Sequence, residues 1–281
     1  MRMQTHTADS STDHIAFIGG GNMASAIIGG LLKRGLPARQ IHVVEPFAEQ
    51  RAKLVQQFQI EASEAPGASL GRASLVVWAV KPQTFREAAT QTRVHASGAL
   101  HLSVAAGIRS DTIASWLGSE RVVRAMPNTP ALIGQGMTAL FARPAASADD
   151  RLDVERVVQT MGEFLWLDQE TQLDAVTALS GSGPAYVFYF IEAMIQAGTD
   201  MGLSRAQAHQ LAVGTFVGAS ALAHEATEPP DVLRARVTSK GGTTYAALSA
   251  MDQGGIKEKF MQAMQAARQR AIEMGDEFGA A

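Results

Sequence analysis

The segment Phe17-Ile18-Gly19-Gly20-Gly21-Asn22-Met23-Ala24 constrains this chain more than any other. It ends a short apolar run, Ile15 to Ile18, and opens a helical stretch from Met23 to Arg34 that stops at Gly35 and Pro37. Glycines spaced G-x-G-x-x-A (Gly19, Gly21, Ala24) between a strand and a helix form the fingerprint of a dinucleotide-binding turn. Gly19 permits the tight turn and Gly21 lets backbone approach a pyrophosphate. Ala24 lets the helix pack close to the strand, while the helix N-terminus, with Gly20, Asn22 and Met23 around it, faces the phosphates. The plainer alternative is a glycine-rich turn with no ligand, and the strand before and helix after weigh against it.

Further apolar runs of buried-strand type follow at Ile41 to Val44, Leu75 to Val80 and Leu100 to Val104. Helical stretches at Ala48 to Phe58 and Thr84 to Val94 separate them. Such alternation implies right-handed βαβ units and a parallel sheet covered on both faces. Val122 to Ala125, Thr138 to Phe141 and Phe164 to Leu167 extend that sheet. The expected fold is therefore α/β, with a Rossmann-type doubly wound parallel sheet at residues 13–168.

After residue 170 strand signals stop. Pro184 to Met201, Ser204 to His224, Val232 to Val237, Tyr245 to Met251 and Lys257 to Glu273 read as helices. Ser204 with Gln207 forms a capping box, and Ser182 and Pro184 suit a helix start. The first two long helices are apolar nearly all round. Residues 169–281 cannot cover so much apolar helix alone, so this all-helical domain is expected to dimerise.

Composition narrows the function classes. Among 281 residues, 46% are hydrophobic and 18% charged, ordinary for a globular protein. The net charge of −3 with signs scattered advertises no nucleic-acid face. The absence of cysteine excludes disulfides and thiolate zinc sites and suits a cytoplasmic location. No run approaches the ~18 apolar residues of a membrane helix. Residues 1–12 are polar and read as a disordered tail, and no metal site is expected.

Candidate ligand residues cluster where strands end. Glu45 closes the second strand about twenty residues beyond the fingerprint, where a carboxylate accepts from adenosine ribose hydroxyls and favours NAD. Arg51 nearby suggests the opposite preference if it swings in. Ala79-Val80-Lys81-Pro82, Ala105-Ala106-Gly107 and Asn128 also fall at strand ends, the edge where open parallel sheets bind ligands. In the helical half, Thr238-Ser239-Lys240-Gly241-Gly242-Thr243-Thr244 concentrates hydroxyl and N–H donors suited to a small anion.

GGGNMA, AVKP, AAG, MPNTP, LSGSGPAY and TSKGGTT, in this order from about residue 14 to 270, resemble a pyrroline-5-carboxylate reductase. That resemblance implies reduction of 1-pyrroline-5-carboxylate to L-proline with NADPH or NADH, the closing step of proline synthesis. It implies a Rossmann domain and a helical dimerisation domain, a homodimer and higher assemblies of dimers. It gives Ser239, Gly242, Thr243 and Thr244 the substrate carboxylate, with Thr244 nearest the ring nitrogen, and puts Glu170 near the substrate. Three positions depart from the family pattern. Lys240 replaces a common proline, Glu45 a small hydroxyl residue of NADPH-using members, and Pro66 an asparagine near the adenosine. A β-hydroxyacid dehydrogenase is the nearest rival, but the helix after the sheet domain, Tyr186 to Met201, holds no lysine to protonate a ketone. A dinucleotide-binding regulator without turnover would not need the hydroxyl-rich loop.

Overall fold

The computed structural model describes residues 14–279; the polar segment 1–12 lies outside them. By contact, the chain divides into one unit built from residues 1–181 and 268–281 and a second from residues 182–267.

The first unit carries an eight-stranded sheet ordered β3-β2-β1-β4-β5-β6-β7-β8. Its strands are β1 (His14–Ile18), β2 (Ile41–Val44), β3 (Glu61–Ser63), β4 (Ala73–Trp78), β5 (Leu100–Ser103), β6 (Val122–Met126), β7 (Gly136–Ala142) and β8 (Gly162–Trp166). Its helices are α1 (Asn22–Lys33), α2 (Ala48–Phe58), α3 (Pro82–Thr92), α4 (Ser110–Leu117), α5 (Ala148–Val158) and the short α6 (Gln172–Val176). Strands β1 to β6 run parallel, as the alternation predicts, but β7 pairs antiparallel with β6. The link between them holds only a single-turn 3-10 helix, too short for the crossover that parallel pairing requires. Strand β8 then pairs parallel with β7.

Alternate residues of β1 serve two cores. Ile15 and Phe17 pack with Ile27, Ile28 and Leu31 of α1, Leu54 of α2 and Val154 and Val158 of α5. Ala16 and Ile18 face the other layer with Phe85 of α3 and Ile113 and Leu117 of α4. Trp78 stacks on Phe85 at 4.8 Å between ring centroids, and its indole N–H donates to Nδ1 of His101 at 3.2 Å. Burial, with the Arg121 charge adding to it, lowers the His101 pKa to about 4 from 6.5. Neutral His101 therefore stabilises the fold above about pH 6.5, and that contribution is lost as pH falls toward about 4. Its full size is about 3 kcal/mol. Denaturant melts across this window are expected to show the loss, and His101→Gln to flatten it; an unchanged slope in the variant would remove His101 as the cause.

The second unit contains α7 (Gly183–Asp200), α8 (Arg205–Glu225), α9 (Pro230–Arg236), α10 (Thr243–Gln253) and the start of α11 (Ile256–Gly279). The Ser204–Gln207 capping box forms at α8. Ser182 does not cap α7. Its backbone is helical because a π-helical turn at Thr177–Gly181 runs straight into the helix. The buried core of this unit is small, Ile195, Ala208 and Ala212 with Ile191 against them. Large apolar side chains lie open on the same helices, including Phe188 at 59%, Tyr189 at 70% and Leu222 at 68% exposure. Helix α11 continues into the first unit, where Phe278 packs against the α3–α4 layer.

Candidate functional site

In the first unit the C-terminal ends of β1, β2 and β4 border a cleft of about 790 Å³. Gly19, Gly20, Gly21, Glu45, Ala79, Val80 and Lys81 line it together, as their strand-end positions predict. Gly19 has φ +94°, and a Cβ there would sit 2.7 Å from the Ala79 carbonyl oxygen of the neighbouring strand end. A Cβ on Gly20 would overlap Leu54, whereas one on Gly21 meets nothing within 4 Å. The loop is thus closed on its protein side and open at Gly21, beside the N-terminus of α1, whose first turn carries no acid. That cradle fits a pyrophosphate.

Glu45 is only 6% exposed. Its Oε2 accepts from the Gly20 N–H at 2.9 Å and its Oε1 from the Phe47 N–H at 3.0 Å. Gln50 donates to the Gly20 carbonyl at 2.6 Å, closing the link between α2 and the glycine loop. Arg51 does not swing in. Its Nη1 donates to the carbonyls of Glu45 and Pro46, at 2.8 and 2.7 Å. Pro66 lines the cleft, as do Phe47, Gln50 and Thr84, which carry no signal in the sequence pattern.

Other expected nucleotide contacts do not line this cleft. Asn22 and Met23 open α1, and Ala24 is buried under it. Pro82 opens α3. Ala105 is buried, and Ala106 lies beside it in the turn after β5. Gly107, at φ +78°, would bring a Cβ to 3.0 Å from Met274 of α11. Asn128 Oδ1 accepts from the Met137 N–H at 2.9 Å and so braces the turn between β6 and β7.

Glu170 is already engaged. Oε1 accepts from Arg124 and from the Ser110 N–H, both at 2.6 Å, and Oε2 from the Ser110 hydroxyl. This joins the middle of β6 to the start of α4. Beside it, burial raises the pKa of Asp174 against the opposing pull of Arg124, Arg109 and Arg268. Arg109 also pairs with Asp276 of α11 at 2.6 Å. The Ser180 hydroxyl, on the π-helical turn, is buried without a hydrogen-bond partner.

In the second unit, Thr238 to Gly242 forms the turn between α9 and α10. Its hydrogen bonds run from the Gly242 N–H to the Ser239 carbonyl, from the Thr238 N–H to the Ala235 carbonyl and from the Thr238 hydroxyl to the Arg234 carbonyl. Gly242 is the N-cap of α10, and no side chain caps it. Thr243 and Thr244 form the first turn, which holds no acidic residue. The result is a helix N-terminus without a side-chain cap and with Ser239 beside it, which has the electrostatics of an anion site.

A profile described as pyrroline-5-carboxylate reductase dimerisation matches residues 170–274, and one described as NADP oxidoreductase, coenzyme F420-dependent, matches residues 14–107. The chain is 44% identical to the pyrroline-5-carboxylate reductase of Pseudomonas aeruginosa, covering 96% of this chain and 99% of that one. It is 43% identical to the enzyme of that name from Haemophilus influenzae, over 92% and 97%. Among solved structures, a pyrroline-5-carboxylate reductase from Coxiella burnetii superposes with a TM-score of 0.88 at 34% identity, covering 94% and 98% of the two chains. A Plasmodium falciparum pyrroline carboxylate reductase with NADP bound gives 0.83 at 26% identity, covering 94% and 98%. A glycine cradle at the sheet edge, an uncapped hydroxyl-rich helix start and relatedness along nearly the whole length agree: the chain belongs to the pyrroline-5-carboxylate reductase family.

Proposed function

We propose that this chain reduces 1-pyrroline-5-carboxylate to L-proline with a reduced nicotinamide dinucleotide, the closing step of proline biosynthesis. The observation that carries the reading is the uncapped N-terminus of α10, with Thr243 and Thr244 in its first turn, in a member of this family. A helix start without a capping side chain leaves N–H donors for a carboxylate. Gly242, Thr243 and the Ser239 hydroxyl hold that carboxylate. The Thr244 hydroxyl meets the ring nitrogen, accepting from the protonated imine and keeping its proton in place. A cyclic imine protonated in solution needs no enzymatic acid, which accounts for the absence of a histidine or carboxylate from the loop. Orientation of this kind supplies several kcal/mol of the barrier reduction.

Gly19, Gly20 and Gly21 hold the dinucleotide, with Glu45 and residues 79–81 along the cleft. When bound, the nicotinamide supplies the hydride that converts the CH=N carbon of the imine into a CH2 group. Asn22, Met23, Ala24, Pro82, Ala105, Ala106, Gly107 and Asn128 support this edge from the backbone or from beneath. Glu170 positions Arg124 and the start of α4, and its Oε2, which accepts one hydrogen bond, keeps a lone pair for a substrate contact. In this reading residues 13–168 bind nucleotide and 169–281 bind substrate and make the subunit contacts. The open apolar faces of α7 and α8 then close a homodimer, from which larger assemblies can be built, and the cysteine-free chain works in the cytoplasm.

Mixing the protein with 1-pyrroline-5-carboxylate and NADH or NADPH is expected to consume the reduced cofactor and yield proline. Inertness toward the imine, with turnover of a 3-hydroxy acid or of nothing, would reject the assignment.

A further inference from the structure

We propose that Glu45 makes the cleft select NADH over NADPH, with Arg51 holding the backbone that carries that carboxylate instead of receiving a 2′-phosphate. This selectivity presupposes the dinucleotide site proposed above and says which of its two forms the cleft accepts.

Glu45 stands at the end of β2, where the adenosine ribose of a dinucleotide lies against a Rossmann sheet. Two backbone N–H groups, of Gly20 and Phe47, fix its carboxylate at 2.9 and 3.0 Å. Each oxygen still has a second lone pair for a ribose hydroxyl. A 2′-phosphate has no donor to offer and would set like charge against a carboxylate that cannot turn away.

Arg51, six residues beyond Glu45 in α2, has three of its five N–H donors engaged. Nη1 holds the carbonyls of Glu45 and Pro46 at 2.8 and 2.7 Å, and Nη2 faces Glu64 at 3.3 Å. Turning it toward a phosphate would release the peptide that carries Glu45. The cleft lining adds Glu49, Glu64 and Glu87 to Glu45 against Lys53 and Lys81 alone, and Lys53 is paired with Glu49 at 2.8 Å. The charge balance therefore opposes an additional phosphate.

Fluorescence titration of the two reduced nucleotides, with no substrate present, reads the selectivity as a ratio of Kd values. NADH is expected to bind at least about tenfold more tightly. Glu45→Gln, which keeps an acceptor for the Gly20 N–H, brings the two within about threefold of each other. Arg51→Leu frees the segment that carries Glu45, so NADH affinity falls and the ratio narrows. A parent ratio below tenfold, or an Arg51→Leu variant that loses NADPH affinity alone, overturns the proposal while leaving the dinucleotide site standing. Failure of the parent to bind either nucleotide overturns both. Should Glu45→Gln not fold, the parent ratio and Arg51→Leu still decide.

Discussion

Gly19→Val is expected to raise the Kd for the reduced dinucleotide on the order of a hundredfold. Two effects add at this residue. Its φ of +94° is a conformation that a β-branched residue adopts only under strain, and the new Cβ would press on the Ala79 carbonyl at 2.7 Å. The carbonyl cannot retreat easily, because the Ala79 N–H is bonded to the Ile18 carbonyl and the Gly19 N–H to Val44, both at 2.8 Å. The loop must therefore leave the position from which it contacts phosphate. Gly21→Ala separates binding from folding. Its Cβ meets nothing in the protein, so thermal stability stays near the parent value while nucleotide affinity falls roughly tenfold, because the methyl group occupies the open side of the cradle. Isothermal titration calorimetry and thermal melts on both variants check the pair. Parent-like affinity in Gly19→Val would mean that the phosphates lie elsewhere.

Thr244→Ala is expected to lower kcat/KM for 1-pyrroline-5-carboxylate by roughly ten- to hundredfold, the worth of one hydrogen bond to a charged nitrogen. Thr244→Ser restores most of it. No hydrogen bond from the Thr244 hydroxyl is seen among the described residues, so alanine removes no internal contact and the loss reports on substrate. Steady-state kinetics at saturating cofactor measure it. A Thr244→Ala value within twofold of the parent would show that the hydroxyl does not meet the ring nitrogen.

Much of this was legible in the chain, and the gaps have physical causes. Strands β1, β2 and β4 are mostly apolar runs buried on both sides, so their signal is strong, while β5 is fully buried although His101 and Ser103 alternate with its leucines. Strand β3 is three residues, Glu-Ala-Ser, at the sheet edge, held there by backbone pairing with β2 and by His42 of β2, which meets Ser63 and Glu61, so it carries no apolar run. Helix α5 is too polar to stand out by periodicity, although its Ser147–Asp150 capping box was a usable signal. The glycine loop and Glu45 could be placed because their chemistry is local. The partners of Glu170 could not: Arg124 and Ser110 lie 46 and 60 residues away, and only the sheet brings them to one carboxylate. Ser182 looked like a cap because the π-helical turn before it leaves no mark in composition. Proximity in sequence suggests a phosphate-side role for Arg51, and the carbonyls it binds are visible only in three dimensions.

Helix α11 bears on how the protein is made. Residues 268–279 complete the first unit by placing Met274 against Gly107, Asp276 against Arg109 and Phe278 against the α3–α4 layer. The ribosome must deliver all of residues 182–267 before that piece exists. The first unit thus cannot finish folding vectorially as the N-terminal part of a nascent chain otherwise would. Its β5–α4 turn stays uncovered until translation has passed through the second unit, so the nucleotide-binding half matures only after the helical half has been synthesised.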